Sequence, residues 1–221
     1  MTIAATALGV LTGAVPAHGA QIRVDRACYP GTGLIPVKLT GEGYSPNADY
    51  LVLVNGGVVG SGTTDATGNV RYELTAPAPP DSGTGANDAG FHVEVSQGQV
   101  RAATDFRSAR VFGDYNPGNG NPGTLKVRFS AFGFGIDRAP GSAAPEIFVH
   151  YVNPKGRAAR TVSLGKGQGS CGSIRRTAKR KLFPFSPSRG KWVLQFDTSR
   201  RYVKGTSRSR FAWDRLTLSI G

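Results

Sequence analysis

The side chains best equipped for chemistry in this sequence are cations. Between Ile147 and Phe196 there are 11 Lys and Arg and no carboxylate, and Arg175, Arg176, Lys179, Arg180 and Lys181 fall within one seven-residue run. Such a cluster can replace the counterions condensed on a polyanion, which requires charge density more than exact geometry. It can equally be a solvated loop, or an edge strand whose charges discourage pairing with another sheet. The candidate anion contacts are Arg175, Arg176, Lys179, Arg180 and Lys181, followed by Lys155, Arg157, Arg160, Arg200 and Arg201. Over the whole chain 27 Lys and Arg face 14 Asp and Glu, and the excess is localised: residues 1–110 sum to −2 and residues 111–221 to +15.

Covalent and acid–base chemistry find few candidates. His92 and His150 both sit in alternating strand patterns, which makes each a structural histidine before it is a general base. Cys28 and Cys171 are the only thiols, and no nearby group is evident to hold Cys171 as a thiolate except Arg175 and Arg176. An even cysteine count in an oxidising compartment favours pairing. Against it, an end-to-end tandem puts Cys28 at the pole away from the second domain, so a bridge and two separate buried thiols both stay open. Gly167-Gln168-Gly169-Ser170-Cys171-Gly172 matches G-x-G-x-x-G, but Pro184 leaves at most two helical turns after it, too little to present a helix N-terminus to a pyrophosphate. The oxygen-rich stretches Asp114 to Asn121 and Asp81 to Asp88 hold too few carboxylates for calcium, and turn formation accounts for them. No catalytic residue, metal or cofactor is therefore expected.

The elements that must position these groups are strands. With 31 Gly and 14 Pro among 221 residues, long helices are disfavoured and turns abundant. Apolar residues alternate with polar ones at Ile35, Val37, Leu39, at Val70, Tyr72, Leu74 and at Phe91, Val93, Val95; the second half repeats this at Leu125, Val127, Phe129, at Trp192, Leu194, Phe196 and at Leu216, Leu218, Ile220. Tyr50 to Val54 is apolar on both faces, as in a central strand. Turn-forming clusters such as Asn55-Gly56-Gly57 and Asn153-Pro154-Lys155-Gly156 separate the runs. The expectation is an all-β chain of two tandem immunoglobulin-like β-sandwich domains, one over 21–107 and one over 112–221, following an N-terminal signal segment at 1–20. The uncharged stretch Ile3 to Ala17, followed by small residues, carries the signal expectation, although no basic residue precedes it. No later run is long and apolar enough for a membrane span, and the residues before Cys28 are unlike a lipid-attachment site.

Two resemblances bear on this. Gly41-Glu42-Gly43-Tyr44-Ser45-Pro46, followed by Tyr50 to Val54, Gly60 and Asp65-Ala66-Thr67-Gly68, resembles the G-x-G-aromatic-x-P pattern of secreted bacterial immunoglobulin-like domains over roughly residues 22 to 106. In the second half, Phe148 to Val152, Cys171-Gly172, Leu182 to Phe185 and Gly190 to Thr198 are similar to a segment of secreted bacterial proteins. These imply fold and export but no activity. The function expected is therefore a secreted, non-enzymatic module, extracellular or peripheral to the cell envelope, whose basic second domain holds an anionic envelope polymer or anionic surface. An extracellular nucleic-acid-binding protein, with Tyr151, Phe183, Phe185 and Tyr202 as stacking candidates, and an enzyme with an unrecognised site are the alternatives. Oligomeric state is not readable.

Overall fold

A computed structural model describes residues 19–33, 35–79, 87–136 and 138–221. The expected signal segment lies almost wholly outside them, as do most of Asp81 to Asp88. The described chain is all β, and no helix in it is long and apolar enough to cross a membrane.

Eight strands build the first sandwich: β1 (Gln21–Val24), β2 (Cys28–Pro30), β3 (Pro36–Glu42), β4 (Asp49–Val54), β5 (Gly57–Thr63), β6 (Val70–Thr75), β7 (Asp88–Gln97) and β8 (Val100–Ala109). One sheet has the order β1-β3-β6 and the other β2-β8-β7-β4-β5. The inward members of the alternating runs, among them Val37, Leu39, Val52, Val70, Val93, Val95 and Phe106, are nearly or fully buried between them. Burial of each such side chain contributes roughly 1.5–3 kcal/mol. Tyr50 to Val54 departs from its expected role: β4 lies one strand from the edge, and its outer face meets solvent, leaving Leu51 45% exposed.

The turn before β6 shows how local chemistry sets the path. The Asp65 carboxylate accepts hydrogen bonds from the backbone N–H groups of Thr67 and Asn69, from the Thr67 hydroxyl and from the Asn69 amide, at 2.7–3.0 Å. Gly68 follows at φ 77°, with its α-carbon against the Tyr44 carbonyl, where a Cβ would collide. The backbone bond to Asn69 and the other donors hold the Asp65 carboxyl well below the usual carboxylate range. A depressed folded-state pKa means that the stabilisation is complete above the ordinary carboxylate pKa and is lost as pH falls through and below it. Asp65→Asn is therefore expected to lower the unfolding midpoint at neutral pH, and the gap between the two proteins' midpoints should narrow progressively as pH falls below about 4. Midpoints that ran parallel across the acid range would exclude this account.

Arg110 and Val111 lead into the second sandwich, made of β9 (Phe112–Asn116), β10 (Lys126–Phe132), β11 (Glu146–Val152), β12 (Ala158–Lys166), β13 (Arg180–Lys181), β14 (Gly190–Asp197) and β15 (Trp213–Ile220). Its sheets have the orders β13-β10-β9 and β12-β11-β14-β15. Val127, Phe129, Ile147, Val149, Tyr151, Leu194 and Phe196 fill the space between. Phe183, Phe185 and Trp192 close one flank, each with its ring centroid 5.3–5.6 Å from another.

The cysteines are joined: Cys28 to Cys171 form a disulfide across 143 residues, with Cα atoms 5.2 Å apart. The geometric objection to a bridge fails because of β2. This three-residue strand pairs in parallel with the last residues of β8, Cys28 opposite Arg107 and Pro30 opposite Ala109. Cys28 therefore sits at the end of the first sandwich that meets the second. Gly167 to Gly172 is not a phosphate loop. Gln168 and Ser173 exchange backbone hydrogen bonds at 2.8–2.9 Å, and the tight loop between them carries Cys171 to the junction. The bridge is buried with Ala109, Ile136 and Val111, and Ser173 adds a hydroxyl contact to Asp88.

Candidate basic face and the strap above it

The predicted cations occupy three places. Arg175 to Lys181 runs along the edge of β10: Ile174 bridges Ala131, the Thr177 N–H donates to the Phe129 carbonyl, and Arg180 and Lys181 pair with Val127 and Lys126. This is a charged sheet edge, with Arg175, Arg176, Lys179 and Lys181 exposed and Arg180 half-buried. The Arg180 guanidinium donates to the Ser163 carbonyl at 3.3 Å, linking the edges of the two sheets. Lys155 and Arg157 stand on the turn between β11 and β12, shaped by Asn153 Oδ1 accepting from both their N–H groups at 3.0 Å. Arg160 follows, exposed on the outermost strand β12. Arg200 and Arg201 belong to a third place that the sequence reading did not isolate.

That place is the segment 198–212, which connects β14 to β15 and folds back over the outer face of their sheet. Under it lies a polar network. His150 and Asp197 are both fully buried, with His150 Nε2 3.0 Å from Asp197 Oδ1 and also 3.0 Å from the Ser199 carbonyl, while His150 Nδ1 is 2.8 Å from Thr161 Oγ1. The carboxylate also accepts from the Ser199 N–H at 2.8 Å and from the buried Gln195 amide at 2.7 Å. The Gln195 amide donates again to the Val203 carbonyl at 2.7 Å, while its oxygen accepts from the Gly205 N–H at 3.0 Å and from Arg215 at 2.6 and 2.9 Å. Among the described residues no buried side-chain polar atom is left without a partner. Tyr202 turns inward, with its ring 5.5 Å from the imidazole, and Trp213 Nε1 donates to the Thr206 carbonyl at 3.1 Å. We call this segment the strap.

His150 thus shares its face with Phe148 and Val152 as expected, but the cover above it was missed. The signal in the sequence is that Phe148 and Val152 flank His150 on the outer face of β11, two apolar side chains that call for a cover. His92 is exposed and pairs with Asp105 at 2.8 Å. Asp114, from the oxygen-rich stretch, sits in β9 opposite Ser130. Of the rings proposed to stack on bases, Tyr151 and Phe183 are 1% exposed, and the Tyr151 hydroxyl donates to the Leu182 carbonyl at 2.7 Å. Burial pushes that phenol's pKa upward.

Pairing separates the two sandwiches. In the first, Arg26, Arg101 and Arg107 lie 3.4, 3.3 and 2.9 Å from Asp25, Glu94 and Asp88. Among the described residues no Lys or Arg of the second sandwich lies within 4.0 Å of a carboxylate.

No protein-family model matches the chain, and no curated protein matches it. Solved structures similar to it include tandem modules and, at lower TM-score, β-glucuronidases of Bacteroides uniformis and Parabacteroides merdae. A tetra-tandem repeat from the extending region of a large adhesion protein is 15% identical, with a TM-score of 0.29, over 92% of this chain and 49% of that one. The fibronectin(III)-like modules of Clostridium thermocellum CbhA are 8% identical, at TM-score 0.29, over 90% and 93% of the two chains. Two tandem Ig domains of titin are 8% identical, at TM-score 0.30, over 90% and 95%. The chain spans about half the length of the first of these. A likeness of this degree assigns none of their roles.

Proposed function

We propose that this is an exported, non-enzymatic two-module protein that holds an anionic polymer or lipid surface of the cell envelope through its second sandwich. The observation that carries this reading is that, among the described residues, no Lys or Arg of the second sandwich has a carboxylate partner, whereas Arg26, Arg101 and Arg107 of the first do. An ion pair on the surface contributes only about 0–1 kcal/mol to stability, so leaving the charges unpaired costs the fold little and leaves their full field for a partner. Export is supported by the disulfide, which suits an oxidising compartment. Binding through nucleobases is disfavoured by the inward burial of Tyr151 and Phe183.

The test is binding of the intact protein to inorganic polyphosphate across a salt series. Six to ten phosphate contacts predict a loss of about 10³- to 10⁵-fold in affinity between 50 and 200 mM salt. Binding that is absent, or that is insensitive to salt, would remove the electrostatic reading.

A further inference from the structure

We propose that the strap is the preformed contact surface for a linear, phosphate-bearing polyanion, and that His150, Gln195 and Asp197 beneath it are positioning residues. This rests on the electrostatic reading above and names the surface and the ligand chemistry.

The strap holds Arg200, Arg201, Lys204, Arg208 and Arg210, all exposed, and no carboxylate. The acids at its two ends are turned away from these cations. Asp197 is fully buried on His150, and Asp214 Oδ2 accepts the Gly113 N–H at 2.8 Å. Among the described residues, none of the strap's cations therefore lies within 4.0 Å of a carboxylate. By contrast, the run along β10 has a sufficient structural explanation as a charged edge that resists further strand pairing.

The strap is also held in one shape. Ser199 is fixed through both backbone groups, Val203 through its carbonyl, Gly205 through its N–H and Thr206 through its carbonyl. Ser199, Tyr202 and Gly205 are the inward members, half-buried or buried; the pairs Arg200-Arg201 and Val203-Lys204 between them are exposed. A buried polar network is a poor way to gain stability, because apolar residues of the same volume do as well or better. Here the network fixes the backbone from which the cations project, so binding need not freeze a floppy loop. Four of the five cations are arginine, whose planar fork matches phosphate oxygens in pairs.

The experiment measures affinity for inorganic polyphosphate against salt, using the full chain and three variants. The first carries Arg200→Ser, Arg201→Ser and Lys204→Ser; the second carries Arg175→Ser, Arg176→Ser and Lys179→Ser; the third is Gln195→Met. Both triple variants change only exposed side chains. The strap variant is expected to bind at least ~30-fold more weakly near 0.1 M salt and to lose about 2–3 from the slope of log affinity against log salt. The edge variant should change affinity by less than about 3-fold. Gln195→Met keeps every cation, so it should weaken binding about 10-fold with the slope unchanged, at a temperature where unfolding measurements show it native. Unaltered affinity in native Gln195→Met would make the network merely structural and overturn the positioning role. Loss of binding in the edge variant but not in the strap variant would overturn the strap and leave the electrostatic reading standing. If the parent itself fails to bind, both fall. At least ~10-fold tighter binding of polyglutamate or duplex DNA than of polyphosphate would overturn the ligand assignment.

Discussion

His150→Ala is expected to remove about 3–5 kcal/mol from the stability of the second sandwich. The imidazole and the Asp197 carboxylate are both inaccessible to solvent, so deleting the imidazole leaves the carboxylate buried with only the Ser199 N–H and the Gln195 amide as donors. The cost lies in that incompletely compensated buried carboxylate more than in the contact itself. The double variant His150→Leu with Asp197→Leu should recover a large part of the loss, because it removes both groups together and fills the space. Denaturant unfolding read by tryptophan emission measures this cleanly, since Trp192 and Trp213 both lie in the second sandwich. A single-variant loss below about 1 kcal/mol would show that water reaches the pair and that the strap is not sealed.

Removing the disulfide by Cys28→Ala with Cys171→Ala should cost about 5 kcal/mol on the chain-entropy scale for a closed loop of this size. The bridge spans 143 residues, and loop-closure entropy grows with the logarithm of length. The sulfurs lie against Ala109, Ile136 and Val111, so alanine also leaves a small void in the junction. The expected result is a large drop in unfolding midpoint under oxidising conditions, matched by the parent protein when reduced. If the reduced parent and the variant unfolded at the same midpoint as the oxidised parent, the bridge would contribute nothing beyond the noncovalent junction.

Much of the fold is legible in the residues themselves. Alternation at Val37 and Leu39 and at Val93 and Val95 names the inward faces, because a strand's period of two leaves no freedom once one face is buried. The departures have a common cause, which is that order along the chain does not fix order in space. Cys28 lies early in sequence, yet β2 joins β8 in parallel and not its sequence neighbours. Tyr50 to Val54 is apolar throughout, yet on its outer face Leu51 is exposed and Leu53 only half-buried. The cations were legible as charge but not as surfaces: Arg175 to Lys181 became an edge, whereas Arg200 and Arg201 belong with Lys204, Arg208 and Arg210. The strap depends on His150 meeting Asp197 from 47 residues away, a distance that no local pattern reveals.

The bridge at the junction also decides how the molecule carries tension. A pull applied between residue 19 and residue 221 runs along the chain to Cys28, crosses the sulfurs to Cys171, and bypasses everything between. Roughly 500 Å of contour length is thereby locked away, and only β1 and the strands beyond Cys171 can be peeled from their neighbours. The two sandwiches would stretch as one short link while oxidised, and as a long, sacrificial tether once a reductant cuts the bond.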